Sequence, residues 1–301
     1  MAYRMDFQKC AAVLTQHNQP NFRLNQIKRA FACDLVASWD EVTTIPGALR
    51  KVLQEHIPVS SLTEARRQES RYGDTLKVAL TLKEGQMIET VMMRHRDGRR
   101  TICVSSQAGC PMRCSFCATG TMGFKRNLTS EEIIDQVLHF ARLLKPLGEK
   151  VTNVVLMGMG EPMHNYDAVI AALKTLNDPE GFHLGARHMS ISTCGIVPGI
   201  LRLADEPMQI NLAISLHAPN DTLRTKLMPV NLAYPLGKLM PTIETYLAKT
   251  NRKVFFEYLL IDGMNDTDEI AEELAVLLKH PLYHLNLIKY HTTGAFISSS
   301  K

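Results

Sequence analysis

Cys110, Cys114 and Cys117 stand in the run GCPMRCSFCATG with the spacing C-x-x-x-C-x-x-C. Thiolates are soft ligands that hold iron–sulfur clusters. Three of them in so short a loop can take three irons of a cubane and leave the fourth iron without a protein ligand. A saturated ferredoxin-type site brings a fourth cysteine to the same cluster. An open iron is a place for a substrate or cofactor to chelate, and a cluster there can pass an electron into what it holds. Phe116, immediately before the last cysteine, is an apolar side chain that can shield such a cluster from water; ordinary core packing explains it as well.

Other uses of the triplet fit less well. A structural zinc site takes four ligands, as two cysteine pairs or a Cys/His set at fixed spacing. His139 is a conceivable fourth ligand but falls in a segment with helical periodicity. The total of seven cysteines is odd, and the N-terminus MAYRMDFQKC carries no signal-peptide pattern, so a disulfide framework is not expected.

A loop of this kind needs a rigid frame. From Thr101 onward six strand-like runs, TICVSS, TNVVLM, HMSIST, INLAISL, KVFFEYLL and YHLNLIKY, alternate with helix-like runs. The latter include Ser130 to Leu144, Tyr166 to Leu176, Leu236 to Ala248 and Asp268 to Leu278. The alternation predicts an α/β fold whose parallel sheet is covered by helices. Such sheets carry their chemistry at the carboxyl ends of the strands, and the cysteine loop follows the first strand at that end. Ahead of it lie short helix-like runs, Met5 to Gln16, Leu24 to Cys33 and Gly47 to His56, and then a small β-unit of LKVALTL and QMIETVMM joined by the turn KEGQ. The expected division is an accessory helical and β domain, residues 1–95, and a core domain, residues 96–301.

The turns after the strands hold the next candidates. GMGEP, Gly158 to Pro162, follows the second core strand; its glycines allow close backbone approach to a ligand, and Glu161 offers an acceptor for an ammonium or a ribose hydroxyl. Ser192 and Thr193 end the third strand, and Ser215, Leu216 and His217 end the fourth. Hydroxyls at these places can bind the ribose or carboxylate of a cofactor, and each taken singly also fits a helix cap or a strand-end hydrogen bond. They gain weight together, because they fall on one rim.

The 301 residues suffice for a large core, and the formal charge of +4 permits a nucleic-acid partner without demanding one. No apolar run approaches the ~20 residues that a membrane helix needs, and the cytoplasm is the expected compartment, where free thiols persist. Arg94, Arg96, Arg99 and Arg100 form one basic cluster, Arg23, Lys28 and Arg29 another, and Arg224 and Lys226 precede MPVN. Each is a candidate RNA contact, and each is equally well a solvated charged face.

GCPMRCSFCATG, GMGEP, ISTCGIVP, ISLHAPND with RTKLMPVN, and EYLLIDGMND together resemble the radical S-adenosylmethionine (radical SAM) adenine methyltransferases of ribosomal and transfer RNA. This is the family of the adenine-C2 methyltransferase RlmN and its adenine-C8 relative Cfr. The resemblance spans nearly the whole chain and implies a radical SAM partial (β/α)6 barrel. It implies a 4Fe–4S cluster on Cys110, Cys114 and Cys117. It also implies S-adenosylmethionine on Gly160 and Glu161, Ser192, and Ser215 with Leu216 and His217. Glu89, in QMIETVMM, matches the family's proton acceptor, with one extra residue in the spacing to Cys103; Cys103, in TICVSS, matches the thiol that resolves the protein–RNA adduct. Buried or exposed strand residues without a role are the plain alternatives for both. The implied partners are 23S rRNA, tRNA and an electron donor such as flavodoxin or ferredoxin, and the implied state is a monomer.

The family's reaction, as the resemblance implies it, methylates a cysteine near the C-terminus with one S-adenosylmethionine. A second is cleaved to a 5′-deoxyadenosyl radical that takes hydrogen from that methyl group, and the resulting carbon radical adds to adenine. The methyl-carrying cysteine is expected beyond the sixth strand, in a segment resembling GxDIxAACGQL. The sequence ends GAFISSSK with no residue at that place. His291 stands where the family has an Asn that contacts S-adenosylmethionine, while Asn286 matches. From these departures the expectation is a chain that binds cluster and cofactor without methylating adenine. The alternatives are a non-methylating radical SAM RNA-binding protein, an adenine-C8 methyltransferase, or a radical SAM enzyme acting on a protein or small molecule.

Overall fold

The computed structural model describes residues 7–291, so the expected helix start at Met5 and the GAFISSSK ending lie outside the described residues. The chain divides into two compact units. The first comprises Met1–Ser105, Leu128–Gly158 and Asp167–Met189; the second comprises Ser106–Asn127, Met159–Tyr166 and Ser190–Lys301.

The first unit opens with helices α1 (Phe7–Gln16), α2 (Phe22–Ala32) and α3 (Gly47–His56). Their apolar faces meet around Trp39, Phe31, Leu53 and Ile57, each at most 2% exposed. The Trp39 indole donates to Ile57 O at 2.6 Å, which answers the polar atom that burial of a tryptophan would otherwise strand. Strands β1 (Thr63–Glu69), β2 (Thr75–Thr81), β3 (Met87–Arg94) and β4 (Arg100–Cys103) then form an antiparallel run. β1 was not legible in the sequence. Its residues TEARRQE are nearly all exposed, so it carries no apolar face to announce it; its strand pairing is with β2.

The hairpin β5 (Gln107–Gly109) and β6 (Phe124–Asn127), with the short helix α4 (Ala118–Thr121) between them, belongs to the second unit. Back in the first unit, α5 (Ser130–Leu144) begins at a capping box in which Thr129 and Glu132 satisfy each other's backbone N–H groups. β7 (Asn153–Leu156) pairs parallel with β4, and α6 (Tyr166–Asn177) follows. Gln136 of α5 fixes the end of the β4 segment: its side chain accepts from Ser105 N at 2.7 Å and donates to Ser105 O at 2.9 Å.

The second unit continues through β8 (Met189–Thr193), α7 (Val197–Ala204), β9 (Asn211–Ser215), α8 (Asp221–Leu227), α9 (Leu236–Thr250), β10 (Val254–Leu260), α10 (Asp268–Leu277) and β11 (Tyr283–Lys289). β8, β9, β10 and β11 pair in that order, all parallel. Alternation along the strands gives the sheet two unlike faces. Ile191, Leu212, Ile214, Val254 and Phe256 are fully buried on one. The other carries Ser192, Ser215, Glu257 and Asn286, all half-buried. No helix among the described residues is long and apolar enough to cross a membrane.

Candidate cluster and cofactor site

The cysteine loop runs between the two strands of the β5–β6 hairpin, in the second unit. Gly109, with φ of 77°, brings the loop's first residue to the opposite strand; a Cβ there would lie 1.8 Å from Gly123 O, so only glycine fits. Cys110 N then donates to Gly123 O at 3.2 Å. The chain turns back through Arg113, whose φ of 55° is the left-handed region that few arginines occupy. Cys117 N donates to Cys114 O at 3.2 Å, and Gly120 N to Cys117 O at 3.0 Å. Ser115, between the second and third cysteines, donates to Leu227 O from both its N–H, at 2.9 Å, and its hydroxyl, at 3.2 Å.

Cys110 is buried and Cys114 and Cys117 are half-buried. Burial chiefly, with Glu161 and the neighbouring cysteines adding to it, pushes the Cys110 thiol up to about 11 and the Cys114 thiol up to about 12. Three sulfurs that repel one another's charge at one place are a donor set awaiting a cation, which would deprotonate them. Among the described residues no three His, Cys, Asp or Glu side chains close around a single ion. Three cysteine thiols are soft donors of the kind that hold an iron–sulfur cluster, and the residues present fit one.

Glu161 faces the loop from the turn after β7. It is 3% exposed; one carboxylate oxygen accepts from Met163 N at 2.9 Å and the other from Cys194 N at 2.8 Å. The Cys194 side chain also hydrogen-bonds this carboxylate; with two acceptor positions on each oxygen, the carboxylate as a whole still has room for a cationic ligand. Glu161 N donates to the Gln107 side chain at 2.8 Å, and Gln107 in turn donates to Asn127 Oδ1 at 2.8 Å. The preceding Gly160 has φ of 104°, and a Cβ there would sit 2.6 Å from Gln107 Cβ.

Ser192 and Ser215 share the polar face of the parallel sheet, two residues apart in register, since Ser192 pairs with Ala213. Ser215 is level with Glu257, and Glu257 with Asn286, whose side-chain amide donates to the Glu257 carboxylate at 3.0 Å. Burial raises the Glu257 carboxyl above its ordinary value. Leu216 is fully buried; its N–H donates to Glu257 O at 3.0 Å and its carbonyl accepts from Arg224 at 3.3 Å, so its N–H is committed and its apolar side chain is what it offers a ligand.

His217 also has a left-handed backbone, with φ of 58°. Its Nδ1 accepts from Leu259 N at 3.0 Å and its carbonyl accepts from Asn265 at 2.9 Å. Burial, then the charge of Arg224, pushes its pKa down to about 3, so the ring is neutral and carries its proton on Nε2. The ring of Phe116 meets it edge-on at 4.8 Å between centroids, tying the cysteine loop to the end of β9. His291 is exposed, two residues beyond β11.

Glu89 and Cys103 lie in the first unit, on the adjacent strands β3 and β4. Cys103 pairs with Val91, two residues from Glu89, so both side chains share one sheet face. Glu89 is exposed and ion-paired to Lys77 at 3.0 Å. Burial pushes the Cys103 thiol up to about 11. His139, the conceivable zinc ligand, sits on α5 with its Nε2 3.1 Å from Glu64.

Several residues were missed or misread from sequence. Gln107, Glu257 and Asn265 carry the site's hydrogen bonds but stand outside any chemical motif; a polar residue inside an apolar strand or turn was the available signal. Arg224 is not a surface RNA contact, being 0% exposed. Arg94 and Arg100 are both paired to Glu149, at 3.4 and 2.6 Å, which draws them away from a free basic patch.

The radical SAM superfamily profile matches residues 104–275. A protein of Halalkalibacterium halodurans named as a probable dual-specificity RNA methyltransferase RlmN is 46% identical over 286 residues, covering 95% of this chain and 78% of the relative. A protein of the same name from Chloroflexus aurantiacus is 45% identical over 300 residues, covering 96% and 79%. The crystal structure of a radical SAM methyltransferase from Sphaerobacter thermophilus superposes with a TM-score of 0.90 at 45% identity, covering 95% of this chain and 83% of that one. Cysteine spacing, fold and these similarities agree: the chain belongs to the radical SAM superfamily and, within it, to the RlmN family of RNA methyltransferases.

Proposed function

We propose that this chain binds RNA and performs the radical SAM chemistry of the family that methylates C2 of adenine in 23S rRNA and tRNA, with Cys110, Cys114 and Cys117 holding a 4Fe–4S cluster; no residue of this sequence matches the family's methyl-carrying cysteine. The single observation that carries the reading is the juxtaposition of Glu161 with these cysteines: its charge acts on both Cys110 and Cys114. The acceptor suited to the ammonium of S-adenosylmethionine therefore adjoins the thiols suited to iron. A cluster bound there supplies the electron that splits a sulfonium.

The chain's own residues do the rest. Gly160 and Glu161 bind the amino-acid end of S-adenosylmethionine. Ser192 and Ser215 offer hydroxyls on the polar sheet face, Leu216 an apolar contact, and His217 a fixed Nε2–H donor. His291 takes the place of the family's asparagine, since an imidazole also donates one hydrogen bond. Phe116 and the His217 ring exclude water from the loop. Cys103 holds its proton at neutral pH, because burial keeps its thiol near 11. By the family's pattern it would resolve the protein–RNA adduct once deprotonated, and Glu89, on the same sheet face, would accept the proton from the adenine. Residues 1–95 form the accessory domain and 96–301 the radical SAM core. The exposed cations Arg96 and Lys226 contribute to the RNA path. The protein works as a cytoplasmic monomer, reduced by a flavodoxin or ferredoxin.

The test is anaerobic reconstitution with iron and sulfide, then incubation with dithionite, S-adenosylmethionine and labelled 23S rRNA fragments or tRNA. The expected result is 5′-deoxyadenosine together with retention of the RNA on a filter. Absence of 5′-deoxyadenosine from iron-replete protein rejects the cofactor chemistry; failure to retain RNA rejects the substrate class.

A further inference from the structure

Arg224 is the most completely buried charged residue described, at 0% exposure. Its Nη2 donates to Cys194 O at 2.7 Å and Ser215 O at 3.3 Å, and its Nε to Leu216 O at 3.3 Å. Its Nη1 donates to Asn231 Oδ1 at 2.7 Å and Tyr234 O at 3.5 Å. All five acceptors are neutral, and no carboxylate among the described residues lies within ion-pair distance. Asp221 acts on this charge through Asn231, whose amide donates to Asp221 Oδ1 at 2.9 Å; a buried cation without a direct counter-ion is costly, and an apolar side chain of similar volume would pack more cheaply. The charge therefore calls for a reason other than stability.

Its surroundings supply one. The carbonyls of Cys194, Ser215 and Leu216 lie at the carboxyl ends of β8 and β9, where Ser192, Ser215 and His217 also stand. Helix α8, which bears Arg224, ends at Leu227, and the Leu227 carbonyl takes both hydrogen bonds of Ser115 in the middle of the cysteine loop. One short segment thus joins the loop to both strand ends. Gly195, with φ of 103°, packs on the guanidinium, where a Cβ would stand 3.3 Å from Nη2.

We propose that Arg224 is a positioning residue with two effects: its guanidinium fork locks the ends of β8 and β9 into a preformed cofactor rim, and its buried charge is the counter-charge for the electron-rich group held by the cysteine loop. The inference rests on the reading of that loop as a cluster site. The fork is geometric, since a planar guanidinium spans several carbonyls at once and a lysine ammonium does not. The charge effect follows from Coulomb's law: a fixed cation in a low-dielectric site favours the cluster state with one more electron.

The experiment compares the anaerobically reconstituted full chain with Arg224→Met and Arg224→Lys. Iron content, midpoint potential by EPR-monitored titration, and the Kd of S-adenosylmethionine by equilibrium dialysis are measured on each. For Arg224→Met the equilibrium constant for reduction is expected to fall at least tenfold, or 59 mV for one electron, and the Kd to rise at least tenfold. Arg224→Lys keeps the charge and loses the fork, so its potential stays near that of the parent while its Kd rises at least tenfold. A parental potential in Arg224→Met overturns the counter-charge, and a parental Kd in both variants overturns the fork. A merely structural role would lower the melting temperature and move neither quantity. Should Arg224→Met lose its iron, Asn231→Ala leaves the charge and removes one anchor; it is expected to keep the potential and raise the Kd at least threefold, and an unchanged Kd refutes the clamp. Parent protein that holds no iron rejects the cluster reading instead.

Discussion

Folding stability below neutral pH carries a signature of His217. The ring is 6% exposed, its Nδ1 is committed to Leu259 N–H, and Arg224 lies close enough to oppose a second positive charge. Its pKa falls from 6.5 to about 3, with burial the larger cause. Between those values the unfolded ring binds a proton and the folded ring does not, so the unfolded state takes up protons and stability declines as pH falls. The contribution is intact above 6.5 and is progressively lost down to about 3. The slope is about 1.4 kcal/mol per pH unit for one proton. From 6.5 to about pH 5 the loss is thus about 2 kcal/mol, fixed by the unfolded value as long as the folded one lies well below 5. His217→Asn is the informative variant, because asparagine tolerates the left-handed backbone at this position. Urea unfolding of the metal-free protein should be followed by far-UV circular dichroism at about pH 7 and about pH 5. The single tryptophan, Trp39, sits in the helical core of the first unit and would report on the wrong part of the chain. The parent is expected to lose about 2 kcal/mol more than the variant across the interval. Equal losses would refute a neutral, buried His217.

Three other substitutions bear on the site and its frame. Glu161→Gln removes the charge that faces the cysteine loop, and S-adenosylmethionine should bind roughly ten- to a hundredfold more weakly by calorimetry, a charged hydrogen bond being worth ~1.5–3 kcal/mol. Gly109→Ala drives a methyl group into Gly123 O, so the β5–β6 pair must separate; iron retention should fall below half of the parent's, measured by elemental analysis after reconstitution. Asp135→Ala strips the partner from Ser61 N and Ser61 Oγ, now held at 2.6 and 2.7 Å, and should cost ~2–3 kcal/mol in urea without changing cofactor affinity.

Much of the frame was legible because its signals are repetitive. Apolar runs alternating with amphipathic ones located β7 and β8–β11 to within a residue and β4 to within three, and α5 was read with both ends correct. β1 and the β5–β6 hairpin were not, for opposite reasons. β1 is charged and exposed, with no periodic face; the hairpin strands are three and four residues long, too short for periodicity to speak. At the site, motif residues such as Glu161 and His217 could be named in advance, because a glycine-rich turn or a strand end marks them. Their supporting partners could not. Gln107, Asn265 and Arg224 matter through contacts between segments remote in sequence, and a charged residue in a polar stretch reads as solvated until the packing shows otherwise. Arg224 is the plainest case: its neighbours RTKLMPVN suggest a surface loop, while five carbonyl and amide oxygens enclose it.

The most direct test of the central claim is the metal and spectrum of the anaerobically reconstituted protein. The account predicts about four irons and four sulfides per chain, and a dithionite-reduced EPR signal that changes shape when S-adenosylmethionine is added, because the cofactor chelates an iron that no cysteine holds. Zinc in place of iron, or a cluster whose spectrum is indifferent to the cofactor, would contradict it.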